Sequence, residues 1–343
     1  MHFFVDETGS FSGWERFPSI SLLGALIVPD ERLGKLEKAY KRLRSRLPQV
    51  NGEVKGRLLD EAQVKAVIEM LFHHSAIFEA IGIDLGTHSQ ATVVEYQRRV
   101  AKYITANLSS DLPQSIIDRA WTWRQQYEEL SLPLVIQTEL TFRLAKRLIN
   151  HGTMYFSQRR PEELAHFHWV IDAKGDQHTP TKWEQWWCEF VMPWLQHGAV
   201  DDPFMMLPIG DYSHMKRFEG ELSPFWQSMV PPSNRDAPAI RLERIMGESI
   251  RFSSAPEPGL ELVDIVTNAT RRALVGNIGK TGWIHIPRLM IHVSDDPHYI
   301  EMVTFRNDEQ GKYERPYGDV LLAFSGTGRV MRMKGKKLPK QQP

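Results

Sequence analysis

Three short apolar runs in this chain end in an aspartate, and charged helical stretches separate them. The runs are HFFVD at 2–6, AIFEAIGID at 76–84 and HWVID at 168–172. A fourth strand-like run, SISLLGALIV at 19–28, follows the first after a Gly/Ser-rich turn region. Strands in alternation with helices define an α/β domain. The helical stretches run from Glu31 to Leu47, from about 60 to 74, from 181 to 197 and from 259 to 275. Helical patterns also dominate 90–151, interrupted by Pro113 and Pro133. We read that region as an insertion into a mixed sheet flanked by helices. Further strands are expected near 204–209 and 247–253, a long loop at 223–238, and a terminal hairpin from 300–305 and 319–325.

The length of 343 residues is enough for one large core, and we expect a single domain over 1–328. Charge is balanced at 42 basic against 42 acidic residues, so no global field announces a nucleic acid or a membrane. The balance is uneven along the chain. Arg329, Arg332, Lys334, Lys336, Lys337 and Lys340 give the segment 329–343 a charge of +6 with no acid, which leaves −6 on 1–328. We expect 329–343 to be a basic, disordered tail. The single Cys188 excludes a disulfide framework and a cysteine-rich zinc site. No apolar run approaches the roughly 20 residues that span a bilayer, and no leader pattern opens the chain. Together these features predict a cytoplasmic protein with no membrane partner.

The aspartates carry the chemistry. Ligands gather outside strand ends in α/β sheets, so Asp6, Asp84 and Asp172 are candidates for one site, although aspartate is also common where strands turn. Asp264 differs from them, because it lies inside the apolar helical run GLELVDIV. A carboxylate buried there needs a cation. Glu261 is one turn earlier on the same face. Arg271 and Arg272 are too far along the helix to pair directly with Asp264. In NGEVKG, 51–56, Glu53 and Lys55 flank one residue and offer a metal ligand and a cation for water or phosphate. The glycines around them predict a loop.

The order of these motifs resembles the bacterial family called domain of unknown function 3800. The resemblance is carried by VDETGS, the apolar run SISLLGALIV, GEVKG, HWVIDAK and GLELVD, and it covers roughly 1–275. It implies a ribonuclease H-like fold, in which acids from the first strand, a later strand and a C-terminal helix converge on divalent metal. On that likeness Asp6 is the first-strand ligand, Asp264 the helix ligand and Asp172 the middle one, with Asp84 a competitor for the middle place. Glu7 and Glu53 are further ligands or bases, and Lys55 contacts phosphate or water. Glu261 stands where the family often has Gln. The implied activity is that of a metal-dependent nuclease, which hydrolyses phosphodiester bonds of RNA or DNA by a two-metal mechanism. Carboxylate oxygens favour Mg²⁺ or Mn²⁺. The alternative is a non-catalytic nucleic-acid-binding or assembly protein on the same scaffold, and a hydrolase of small phosphorylated molecules is a weaker third reading. The 90–151 helices offer a surface for a homodimer.

Other motifs fail on their spacing. GNIGKTGW, 276–283, lacks the first glycine of a phosphate-binding loop and follows a helix. SGTGR at 325–329 reads as a turn. Trp183, Trp186, Trp187 and Trp194 on one helix read as core packing or a partner surface, ahead of base stacking. His166 and His168 share a strand face, but no third ligand stands at zinc-binding spacing.

Overall fold

The computed structural model describes residues 1–14, 16–106, 108, 110, 112–174, 182–201, 204–222, 227, 239–293, 299–306, 317–325 and 327–333. Six strands make the central sheet: β1 (His2–Thr8), β2 (Ile20–Val28), β3 (Ile77–Asp84), β4 (His168–Asp172), β5 (Ile250–Ser253) and β6 (Ile300–Val303). Their spatial order is β6-β3-β2-β1-β4-β5. β2 runs antiparallel to both β1 and β3, while β4, β5 and β6 pair parallel with their neighbours. The sheet is therefore mixed, and β1, β3 and β4 all end on the same edge.

Strand alternation sends side chains to two helical layers. Phe4 and Val170 face α1 (Asp30–Arg44), α2 (Glu61–His73) and α7 (Pro258–Leu274), in a core with Tyr40, Val64, Val263 and Val266. Phe3, Val5, Trp169 and Ile171 face the other layer, formed by α3 (Gln90–Ala106), α4 (Gln114–Glu128), α5 (Leu132–Phe156) and the helical segment α6 at 182–201. α7 starts with Pro258 in its first turn and ends with Arg271 and Arg272, as helix ends favour. It lies close on the sheet because Gly24 and Gly259 leave room: a Cβ on Gly24 would meet Thr267, and one on Gly259 would meet the ring of Phe4.

Several expectations change. Of the helices of 90–151, α5 packs against β2 and β3 and covers one sheet face. The buried Glu79 of β3 binds α5 there, with Arg147 Nε and His151 Nδ1 each 2.8 Å from its oxygens. The segment 319–325 is helical, not a hairpin strand. It lies mostly in α8 (Gly318–Phe324), whose Val320, Leu321 and Phe324 pack on the core at helical spacing. The stretch near 204–209 holds no strand. The loop expected at 223–238 lies almost wholly outside the described residues.

The tail expected from Arg329 begins inside the fold. Arg329–Val330 pairs parallel with Ile291–His292. The Arg329 guanidinium donates to the carbonyls of Arg288 and Ser75, and Met331 is buried. Residues 334–343 lie outside the described residues. Trp183, Trp186 and Trp187 are buried, and Trp186 stacks on Phe190 at 3.8 Å, which bears out the reading of core packing. No helix among the described residues is long and apolar enough to cross a membrane.

Candidate functional site

Asp6 and Asp172 stand next to each other in register. The parallel pairing of β1 and β4 runs to Val5 opposite Ile171, and each aspartate is the following residue. Asp6 shares the face of Phe4, and Asp172 that of Val170, so both carboxylates face α7, which supplies Asp264. Asp264 is held by the backbone N–H of Gly56, which donates to Oδ2 at 2.8 Å. Gly56 must come that close: a Cβ there would lie 2.7 Å from Cα of Ile265 and 2.9 Å from the carbonyl of Asp264.

Glu53 and Lys55 reach the same place from a tight hairpin. Gln49–Val50 pairs with Glu53–Val54, and the turn residues Asn51 and Gly52 have φ of 53° and 78°. An Asn-Gly pair at positive φ is the turn chemistry that closes a two-residue hairpin. The expected loop is thus a short strand pair, signalled by the same glycine that argued against a strand. Glu261 anchors it. Its two oxygens accept from Tyr40 Oη (2.8 Å), from the Arg44 guanidinium twice (2.7 Å each) and from Val54 N–H (3.0 Å). Glu261 is fully buried and fully paired, so it is a positioning residue, not a metal ligand.

The acids act on one another electrically. Burial pushes the Asp6 carboxyl well above the usual range, and the charges of Asp172 and Asp264 push it further, against Lys174 and Lys55. Burial pushes Asp172 up to about 6; Lys55 pulls against the rise, while Glu53 and Asp264 add to it. Asp264 is raised by burial, against the Gly56 hydrogen bond and Lys55. Lys55 pairs with Glu53 at 2.6 Å, which holds it charged although burial pulls it down. Four carboxylates, Asp6, Glu53, Asp172 and Asp264, thus meet two lysines, Lys55 and Lys174. A divalent cation relieves such an excess. The oxygens of Asp6, Asp172 and Asp264 do not all fall within 4.8 Å of one another.

Glu7 points away from α7 and pairs with Lys174. Asp84 is not in the group. Its carboxylate accepts from Ser19 N–H, Gly86 N–H and Tyr317 Oη, so it closes a turn at the end of β3. Lys174 went unnoticed in the sequence, although its place two residues beyond Asp172 was a signal. Asn268, one turn after Asp264, was missed as well. It donates to Thr8 Oγ1 at 3.3 Å, and its buried Oδ1 has no hydrogen-bond partner. The GNIGKTGW segment is no phosphate loop, since the N–H of Gly279 is taken by Glu61.

Comparison with protein-family models, curated proteins and solved structures finds no match.

Proposed function

We propose that this chain is a divalent-metal-dependent nuclease with a ribonuclease H-like fold, and that it hydrolyses phosphodiester bonds of RNA or DNA at the edge where β1 and β4 end. The observation that carries the reading is the set Asp6, Asp172 and Asp264. Three elements far apart in sequence contribute them; burial raises all three, and the charge of Asp264 adds to the rise of Asp6 and Asp172. The mixed sheet and the late helix agree with what the resemblance to domain of unknown function 3800 implies, and that kinship belongs to the same proposal.

In this reading Asp6, Asp172 and Asp264 hold Mg²⁺ or Mn²⁺, because oxygen donors suit hard cations. The bound ions would supply Lewis acidity toward a phosphoryl oxygen and a more acidic water. Glu53, held in place by its hairpin, would serve as a base toward that water. Lys55 and Lys174 neutralise phosphate charge on either side of the acids. Asp84 and Glu261 take no part in the chemistry.

The test is cleavage of end-labelled single- and double-stranded RNA and DNA with Mn²⁺ or Mg²⁺. The expected result is metal-dependent cleavage by the natural chain and loss of about a hundredfold or more in Asp6→Asn, as for removal of a group central to the reaction. Cleavage that persists in Asp6→Asn sinks the reading. If the natural chain binds nucleic acid but cuts none of the substrates, the binding or assembly alternative takes its place.

A further inference from the structure

The other end of the sheet gathers a second group of ligand-type side chains. His2 opens β1 and His168 opens β4, and the two are register partners in the parallel pair. Their rings lie side by side with centroids 4.6 Å apart. Asp30, the first residue of α1, brings its Oδ1 to 2.9 Å from His2 Nε2. One ligand atom of each residue lies within 4.8 Å of the other two, and no other trio of His, Cys, Asp or Glu among the described residues comes so close. The third ligand that the sequence did not offer His168 therefore comes from α1, with His2 as its partner on the neighbouring strand.

The surroundings suit a metal. His168 Nδ1 hydrogen-bonds to Ser249 Oγ at 2.8 Å, which fixes the ring and leaves Nε2 for a ligand. Zinc bonds of 2.0–2.1 Å place tetrahedral donors roughly 3.3 Å apart, a spacing that small side-chain rotations reach here. Asp30 Oδ1 also meets the Met1 ammonium at 3.1 Å. That ammonium has Glu163 Oε2 at 3.2 Å and the carbonyls of Glu163 and His166 as further acceptors, so it keeps partners when a metal takes Asp30.

We propose that His2, Asp30 and His168 bind one zinc-class transition-metal ion, which clips the start of α1 to the starts of β1 and β4. Two imidazoles and one carboxylate select Zn²⁺, Co²⁺ or Ni²⁺ over Mg²⁺. The ion differs in place and kind from those of the acidic site, since Asp6 lies four residues along β1, roughly 13 Å away.

The full chain without a polyhistidine tag, stripped with a chelator, is titrated with Co²⁺ and followed by visible absorption, then with Zn²⁺ in competition. One equivalent is expected to give the spectrum of a nitrogen-liganded, four- or five-coordinate cobalt ion in both the natural chain and Asp6→Asn. His2→Gln and His168→Gln lose it, and Ser249→Ala weakens Zn²⁺ binding roughly tenfold through the His168 ring. Zn²⁺ raises the melting temperature of the natural chain and of Asp6→Asn, but not of the histidine variants. Melting of the metal-free variants shows whether they fold, and Ser249→Ala keeps the test alive if a histidine variant does not. The proposal is overturned if no cobalt spectrum appears, or if both histidine variants bind like the natural chain. In either case the trio is an ion-paired contact alone.

Discussion

Two acids, Glu261 on α7 and Asp172 at the end of β4, show opposite physics at the scale of single residues. Glu261 is buried but every lone pair has a donor, and its carboxyl is held below the usual range: burial pushes it up, while Arg44, Val54 N–H and Tyr40 outweigh that push. Its stabilising contribution is present above the ordinary carboxylate value and is lost as pH falls through the lowered folded value. Breaking a buried pair of this kind costs about 3–5 kcal/mol, so Glu261→Ala is expected to shift urea unfolding at pH 7 by that amount. Asp172 behaves in reverse. Its folded value of about 6 lies above the ordinary 3.8, so the folded chain binds the proton more tightly than the unfolded chain does. Stability of the metal-free protein is then greatest below pH 4 for this group and falls as pH rises through about 6. Removing the charge should help: Asp172→Asn is expected to stabilise the chelator-treated protein by about 1–3 kcal/mol at pH 7.5, allowing for its half-buried setting, and by nothing at pH 3.5. Added Mg²⁺ or Mn²⁺ should stabilise the natural chain and leave the variant unchanged. Loss of stability in Asp172→Asn would show that the fold uses the carboxylate as a structural group, which is the rival reading. The sequence could mark Asp264 as an acid in need of a cation. It could not separate Asp264 from Glu261, because the partners of Glu261 lie about 200 residues away.

The elements that hold the acids depend on close backbone approach, and there the sequence was only partly legible. Apolar runs gave β1, β2, β3 and β4 nearly to the residue, because strands in a buried sheet carry their burial in their composition. Segment 319–325 was misread, since a short apolar run has no period of its own and packing decided in favour of a helix. The hairpin at 49–54 was misread for a different reason. The glycines around Glu53 and Lys55 argue for a loop, whereas Asn51-Gly52 closes a short strand pair. Gly56 follows from the same contact: it is the point where the chain after the hairpin presses on α7. Gly56→Ala forces backbone against backbone at 2.7 Å from Ile265 Cα, with no flexible side chain to give way. Overpacking of this kind costs about 1–3 kcal/mol. The variant is expected to lose that much in urea unfolding. It should also weaken Mn²⁺ binding measured by calorimetry, because the N–H that orients Asp264 moves with the backbone. If Mn²⁺ affinity is unchanged while stability falls, Gly56 shapes packing alone and Asp264 is oriented by other groups.

At the scale of the whole molecule, the acidic body and the basic end divide the work differently from what charge alone suggests. The +6 of residues 329–343 reads as one tail, but the fold takes the first of these residues into itself. Arg329 lies across the ring of Phe72 with its guanidinium on the Arg288 and Ser75 carbonyls, and Met331 O accepts from Gln158 and Arg159. Those contacts tie residues 329–331 to α2 and to the turn that follows α5, on opposite faces of the sheet. Two truncations therefore have different outcomes. A chain ending at residue 328 loses the pairing with Ile291–His292 and uncovers the carbonyls of Arg288 and Ser75, so it is expected to melt several degrees lower than the natural chain. A chain ending at Met333 keeps them and is expected to melt within about 1 °C of it, a change of about 0.7 kcal/mol or less. What the second truncation removes is Lys334, Lys336, Lys337 and Lys340. If these lysines contact phosphates of a nucleic acid drawn to the acidic edge, the affinity for duplex DNA at low salt falls. The slope of log affinity against log salt then becomes shallower by up to about 3–4, near 0.9 for each lost phosphate contact. Equal slopes for the full chain and the Met333 truncation would show that the lysines are solvated and that binding rests on the folded body. The acidic edge would then have to draw its substrate in with Lys55, Lys174 and the metal ions alone.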